Sequence, residues 1–268
     1  MDIAQKSFIV TGGASGLGAA CVRRLVAEGA SVLIADVNEE AGVALVEELK
    51  ESTGSGTGSE LPVAPHFHAT DVTDEASMQA AVDTAVQEFG GLHGAILCAG
   101  ILGASRVVGR RGPHDLDLYR RVIEVNLVGS FNAMRLAAAA MANNDAGEAD
   151  DERGVVIMTS SVAAFEGQLG QAAYSASKGG VASMVLPAAR ELGTSGIRVA
   201  AIAPGVFATP MMNDISDEYC ESLESQVPFP PRLGDPAEFA NLAMHILENR
   251  MLNGCVLRLD GALRMGAK

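Results

Sequence analysis

The segment Thr11-Gly12-Gly13-Ala14-Ser15-Gly16-Leu17-Gly18 constrains the fold more than any other part of the chain. It follows the apolar run Ser7-Phe8-Ile9-Val10 and precedes Ala19-Ala20-Cys21-Val22-Arg23-Arg24-Leu25-Val26. The run has the length of a buried strand and the later stretch reads as a helix, so the glycines form a tight strand-to-helix turn. Such a turn lets the backbone come close to a phosphate, and the helix start behind it offers unpaired N–H groups at the positive end of a dipole. Gly12, Ser15, Gly16, Leu17 and Gly18 are the residues placed to do this. The spacing is Gly-x3-Gly-x-Gly rather than Gly-x-Gly-x-x-Gly, and glycine turns are common, so alone the motif specifies a βα unit and not an activity.

The same alternation continues along the chain. Apolar runs predict strands over 7–10, 31–36, 65–69, 95–98, 155–159, 198–203 and 255–260, with helical patterns between them. Met78, Ala81, Val82, Ala85, Val86 and Phe89 follow a 3.6-residue period, as do Phe239, Leu242, Ala243, Ile246 and Leu247. The second of these helices opens with Asp235-Pro236-Ala237-Glu238, an acid, a proline and a glutamate in capping-box order. Strand–helix alternation implies an α/β fold, a Rossmann-type doubly wound parallel sheet of about seven strands with helices on both faces. We read 1–268 as a single domain, with no internal repeat. Ligands should gather at the carboxyl ends of the strands, where Thr11, Asp36, Cys98 and Ser161 fall.

Two further sites give chemistry to that edge. The second strand ends in Asp36, and a carboxylate there accepts a hydrogen bond from an adenosine ribose and repels a 2′-phosphate. No Lys or Arg lies in the turn 12–18 or just after Asp36, so the cofactor is expected to be NAD rather than NADP. The other reading of Asp36 is a cap for the helix beginning near Asn38-Glu39-Glu40. Farther on, Tyr174 and Lys178 lie four apart in Tyr174-Ser175-Ala176-Ser177-Lys178, on one face of a helix, and Ser161 ends the run Val155-Val156-Ile157-Met158. An ammonium beside a phenol favours the phenolate, which a group titrating near 10 needs if it is to move protons near neutrality. Taken alone, Tyr-x-x-x-Lys is also what chance puts on a helix surface.

Together these residues resemble the short-chain dehydrogenase/reductase family along essentially the whole chain. Further strings match its landmarks: Asp71-Val72 after the third strand, Cys98-Ala99-Gly100 where most members carry Asn-Ala-Gly, Asn126 in Val125-Asn126-Leu127, and Pro204-Gly205-Val206-Phe207-Ala208-Thr209. The resemblance implies that Ser161, Tyr174, Lys178 and Asn126 are catalytic. It implies that Asp71 and Val72 contact adenine, and that Cys98, Ala99, Gly100, Pro204, Phe207 and Thr209 line the rest of the cofactor site. Lys178 would also bond the nicotinamide ribose, and Asn126 would anchor a water that relays the proton. Substrate would meet Ser161, Gln168 and Tyr174 under a cover at about 207–232, where Ile215, Tyr219, Leu223 and Val227 give an apolar side. The strings 161–168, 225–230 and 232–236 are similar to those of members acting on 3-hydroxyacyl-CoA thioesters. The expected reaction is therefore interconversion of a secondary alcohol and a ketone with NAD. Hydroxysteroid dehydrogenase and 3-oxoacyl-carrier-protein reductase are the alternatives within the family, and a dehydrogenase-like scaffold that binds other proteins is the alternative outside it. The family usually forms homotetramers about two-fold axes, and the small residues Gly179, Gly180, Ala182 and Ser183, with Val181, Met184, Val185 and Leu186, suit such a contact.

Composition narrows the partners to small molecules. A net charge of −14 argues against nucleic acid or an anionic membrane, which need basic patches. Arg106, Arg110 and Arg111 form a local cluster that could meet substrate phosphates or be an ordinary solvated loop. Cys21, Cys98, Cys220 and Cys255 lack paired spacing and read as buried reduced thiols; no metal site is expected, though His66 and His68 would share a strand face. With no run of eighteen apolar residues and a first strand starting at residue 7, neither a membrane span nor a targeting peptide is expected, and the cytoplasm is the expected compartment, or the mitochondrial matrix in a eukaryote. The Gly/Ser-rich stretch 51–60, expected to be flexible, and the acidic stretch 143–152 look inserted and carry no chemistry.

Overall fold

In the computed structural model, which describes residues 1–53, 64–110, 112–145, 151–212 and 217–267, strand β1 (Ser7–Thr11) is buried along its whole length. It lies inside a seven-stranded sheet with β2 (Ser31–Asp36), β3 (His66–Ala69), β4 (Gly94–Leu97), β5 (Gly154–Thr159), β6 (Ile197–Pro204) and β7 (Val256–Leu259). The spatial order is β3-β2-β1-β4-β5-β6-β7, and every pairing is parallel. The order reverses at β1, so the crevice beyond the carboxyl ends of β1 and β4 is where a doubly wound sheet takes its ligand.

Both faces of the sheet are covered, which is why its central strands are uninterrupted apolar runs. Alternate residues feed two separate cores. Phe8, Val10, Val155 and Ile157 pack on one side with helices α1 (Gly16–Ala27), α2 (Glu39–Thr53) and α8 (Pro236–Glu248). Ile9, Val156 and Met158 pack on the other with α3 (Glu75–Phe89), α5 (Gly129–Met141) and α6 (Ala172–Leu192). Of the residues read as a subunit contact on α6, Val181 and Val185 are fully buried in this second core, while Leu186 is 45% exposed. The capping box of α8 forms as expected: Asp235 accepts from the Ala237 amide at 2.8 Å, and Glu238 accepts from the Asp235 amide at 2.8 Å.

Two elements went unread in the sequence. A two-residue ribbon pairs 108–109 with 112–113, and a π-helical turn, Glu124–Val128, separates α4 (Leu116–Ile123) from α5. The covering segment contains a short helix, α7 (Asp217–Glu224), from which Leu223 is buried inward. Much of the stretches 51–60 and 143–152, together with Arg111, Ile215 and the side chain of Tyr219, lies outside the described residues. Among the described residues, no helix is long and apolar enough to cross a membrane.

Phe239 anchors α8 on the sheet, fully buried and edge-on to Phe207 at 6.5 Å between ring centroids. Phe239→Ala should cost about 3–5 kcal/mol in chemical denaturation, the range for deleting a buried aromatic. A loss below about 1 kcal/mol would mean that the helix is held elsewhere.

Candidate active site

The glycine turn is folded against the neighbouring strand end. Gly12 has φ +63°, and a Cβ there would lie 2.7 Å from the Ala99 amide nitrogen, so a side chain is excluded. Helix α1 begins at the far end of the turn with Ser15 as an extended N-cap whose side chain makes no capping bond. Its first-turn amides therefore keep their donors for a ligand. Asp36 braces the turn: Oδ2 accepts from the Ala14 amide at 3.0 Å and Oδ1 from the Asn38 amide at 3.0 Å. The capping of α2 falls to Asn38, whose Oδ1 accepts from the Ala41 amide at 3.1 Å. Asp36 is thus a residue of the turn rather than a helix cap.

A cleft of about 460 Å³ runs along the carboxyl ends of the strands. The turn residues Gly12, Ser15, Gly16, Leu17 and Gly18 line it, as do Asp36, Asp71, Val72, Cys98, Ala99 and Gly100. Ser161, Gln168, Tyr174, Lys178, Pro204, Phe207 and Thr209 line the remainder. Asn126 does not reach the cleft surface; it is fully buried behind Gly100. A Cβ on Gly100 would sit 3.2 Å from Asn126 Oδ1 and 3.4 Å from Lys178 Nζ, so glycine is what leaves that corner open.

Lys178 sits at the base of the site. It is buried, and its Nζ donates to the Thr159 carbonyl at 2.8 Å, at the end of β5. Ser160 Oγ returns a bond to the Lys178 carbonyl at 2.9 Å, fixing helix to strand. Tyr174 lies one turn earlier, with the ammonium 5.8 Å from its ring centroid. Burial pushes the Lys178 ammonium down to about 8. The expected depression of Tyr174 is not what this geometry gives: burial pushes the phenol up from its ordinary value, and the Ser161 hydroxyl opposes only part of that rise. The ammonium is committed to Thr159 and faces the ring, so desolvation dominates. Ser161 itself is oriented by accepting from the Ala163 amide at 3.1 Å.

Asn126 uses its side chain structurally. Oδ1 accepts from the Ile101 amide at 2.8 Å, and Nδ2 donates to the Ile101 carbonyl at 2.9 Å and to Ser177 Oγ at 3.1 Å. The π-turn around it shifts the helical bonding, and the Asn126 carbonyl takes Ser130 Oγ at 2.7 Å. The side-chain amide is thus engaged within the protein.

Of the four cysteines only Cys21 is buried; Cys98, Cys220 and Cys255 are half-buried. Cys98 Sγ receives Thr159 Oγ1 at 3.5 Å, and its thiol is held below the ordinary value by the Cys21 thiol first, then by Thr159 and Lys178. The arginine cluster is displaced from expectation. Arg106 and Arg110 are exposed near the small ribbon and do not line the cleft, whereas Arg121 on α4 does. Its signal was present in the sequence: Arg121 is four residues before Val125, which also lines the cleft. Gln171 and Met265 are other lining residues that sequence reasoning passed over, while Met212 and Leu223 come from the segment expected to cover the substrate.

An elongated cleft with a glycine turn, a helix start and the Asp36 carboxylate at one end, and a phenol, a hydroxyl and an ammonium at the other, fits a nicotinamide dinucleotide. Comparison with known proteins gives the same class. Residues 6–219 match the family model described as short chain dehydrogenase. The chain is 49% identical over 259 residues to the 3-hydroxyacyl-CoA dehydrogenase type-2 of Homo sapiens, covering 96% of this chain and 94% of that one. Its counterpart of the same name in Drosophila melanogaster is 46% identical, with 96% of each chain covered. A crystal structure of 3-hydroxyacyl-CoA dehydrogenase type-2 from Mycobacterium avium superposes with a TM-score of 0.89 over 100% of both chains, at 41% identity.

The Lys178 environment has a consequence for stability. Its folded value of about 8 lies below the ordinary 10.5, so between those pH values the folded chain holds fewer protons than the unfolded one. Stability from this group should rise with pH across that window. The difference in unfolding free energy between the parent and Lys178→Met should accordingly shift in favour of the parent from pH 8 to pH 10.5. Parallel denaturation curves across that range would place the lysine in a wetter setting.

Proposed function

The chain belongs to the short-chain dehydrogenase family, and from that premise we propose that it is an NAD-dependent dehydrogenase interconverting a 3-hydroxyacyl-CoA and a 3-oxoacyl-CoA. The observation that carries the cofactor choice is Asp36. Both its oxygens are fixed by backbone amides at 3.0 Å, so the carboxylate stays at the cleft wall with lone pairs remaining for a ribose hydroxyl. A 2′-phosphate would meet that charge directly, with no cation from 12–18 or 37–38 to offset it.

The bound nicotinamide supplies the hydride acceptor or donor. The chain's own residues handle binding and the proton. In alcohol oxidation Tyr174 Oη takes the hydroxyl proton, while Ser161 Oγ donates to the substrate oxygen and stabilises the charge that develops on it. The Lys178 charge near the ring offsets part of the cost of burying a phenolate, a cost that burial still dominates. The proton would pass onward by way of Lys178 and a water held at Asn126 to solvent. In the reverse direction Tyr174 is the acid. Gln168 and the buried Leu223 border the substrate end, giving one polar contact and an apolar cover for an acyl chain. Arg121 is the guanidinium at the cleft edge for the coenzyme A phosphates. We infer a homotetramer from the apolar side chains left on the outer faces of α5 and α6, Phe131 at 48% and Leu186 at 45% exposure.

The test is reduction of acetoacetyl-CoA. NADH should support turnover well above NADPH, and Asp36→Ala should narrow that preference. Arg121→Gln should raise KM for acetoacetyl-CoA more than for an uncharged ketone, and more at low salt. Equal effects on both substrates would remove Arg121 from phosphate recognition. Good activity on uncharged alcohols with none on any acyl-CoA would overturn the substrate assignment.

A further inference from the structure

The turn between Ser161 and Tyr174 carries a carboxylate that the proton chemistry does not use. Glu166 is paired in two-point fashion with Arg258 on β7, Oε1 to Nη1 at 2.7 Å and Oε2 to Nη2 at 2.8 Å. The same guanidinium donates from Nε to Asp260 at 2.7 Å and from Nη2 to the Leu263 carbonyl at 3.0 Å, and it lies 5.4 Å over the Phe165 ring. Arg264 adds contacts to Glu166 at 3.4 Å and to Asp260 at 3.2 Å. Four charges, two of each sign, thus meet where the catalytic turn crosses the segment that follows β7.

That segment is pinned on both sides. The Leu169 amide donates to the Ala267 carbonyl at 3.0 Å, joining it to the catalytic turn. The Gly266 amide donates to Gln226 Oε1 at 3.5 Å, joining it to the end of the substrate cover. Met265 lies between Arg264 and these two fastenings, and it lines the cleft together with Gln168, Tyr174 and Leu223. A methionine held this way is a wall, and the position of a wall fixes how long a chain fits before it.

We propose that Glu166 and Arg258 are positioning residues whose ion pair holds Met265 as the inner wall of the substrate pocket, and that this wall limits acyl chain length. The inference rests on the acyl-CoA reading for the substrate series used to test it, but not for the pocket wall itself. A two-point, ring-stacked arginine is not replaceable by lysine, which offers a point charge on a flexible stem. Glu166 is held below the usual carboxylate range by Arg258 first, so the pair stays charged through neutral pH and does not act as a proton donor.

The experiment compares kcat/KM for acetoacetyl-CoA and 3-oxodecanoyl-CoA in the parent, Met265→Ala, Glu166→Gln and Arg258→Lys. The ratio of long to short should rise about tenfold in Met265→Ala, within what removing a few pocket methylenes gives. Glu166→Gln and Arg258→Lys should move the ratio the same way, with the change falling on KM rather than kcat. Adding Glu166→Gln to Met265→Ala should give less than the sum of the two single effects, because both act on one wall. A ratio unchanged in Met265→Ala, or equal losses for both substrates in the ion-pair variants, would overturn the proposal. The same comparison with 2-pentanone and 2-undecanone separates the two readings. A parent active on ketones but on no acyl-CoA refutes the substrate class, while the ketone ratio still decides for or against the wall.

Discussion

A buried ammonium bonded to the end of a strand holds this active site together. Lys178 Nζ donates to the Thr159 carbonyl at 2.8 Å in a place where an unpaired charge would cost several kcal/mol. Through that bond, and the returning one from Ser160 Oγ, helix α6 is locked in register against β5. Tyr174, one turn earlier on α6, is placed by this lock with its hydroxyl at the Ser161 side chain. Ser161, two residues past Thr159, is delivered to the same point by the strand. The groups proposed to react are therefore fixed by rigid elements, as preorganised charge stabilisation requires.

The other end of the cleft depends on close approach instead of charge pairing. With Gly12 against Ala99 and Asp36 bonded to Ala14, the turn, β2 and β4 form one unit at the point where the strand order reverses. The two ends adjoin at Cys98-Ala99-Gly100, which backs the glycine turn on one side and the Asn126–Lys178 corner on the other. On a chain with net charge −14, the cations lining the cleft among the described residues are Lys178 and Arg121, one at the base and one at the edge. In the proposed reaction that division separates the group at the proton chemistry from the group offered to an anionic substrate.

Strand–helix alternation and the strand-end residues were legible because both follow from local pattern: an apolar run of four to six residues, a turn signal, a 3.6-residue period. Thr11, Asp36, Cys98 and Ser161 could be placed without knowing any tertiary contact. What escaped depends on contacts between distant segments. Met265 lines a cleft built mainly from residues far earlier in the chain, and Arg258 meets Glu166 across 92 positions. The small ribbon and the π-turn at Asn126 have no periodic signature of their own length. The Tyr174 environment was misjudged for a related reason: spacing shows that a lysine is near, but not that its ammonium is spent on a carbonyl and that burial outweighs its charge.

The account stands on Tyr174 as the group that moves the substrate proton, and removing one oxygen atom tests it most directly. Tyr174→Phe should bind NADH as tightly as the parent while single-turnover reduction of acetoacetyl-CoA slows by about 100- to 10,000-fold, the usual contribution of a general acid. A variant that binds NADH normally and keeps half the parent single-turnover rate would contradict the account and assign the proton to another group.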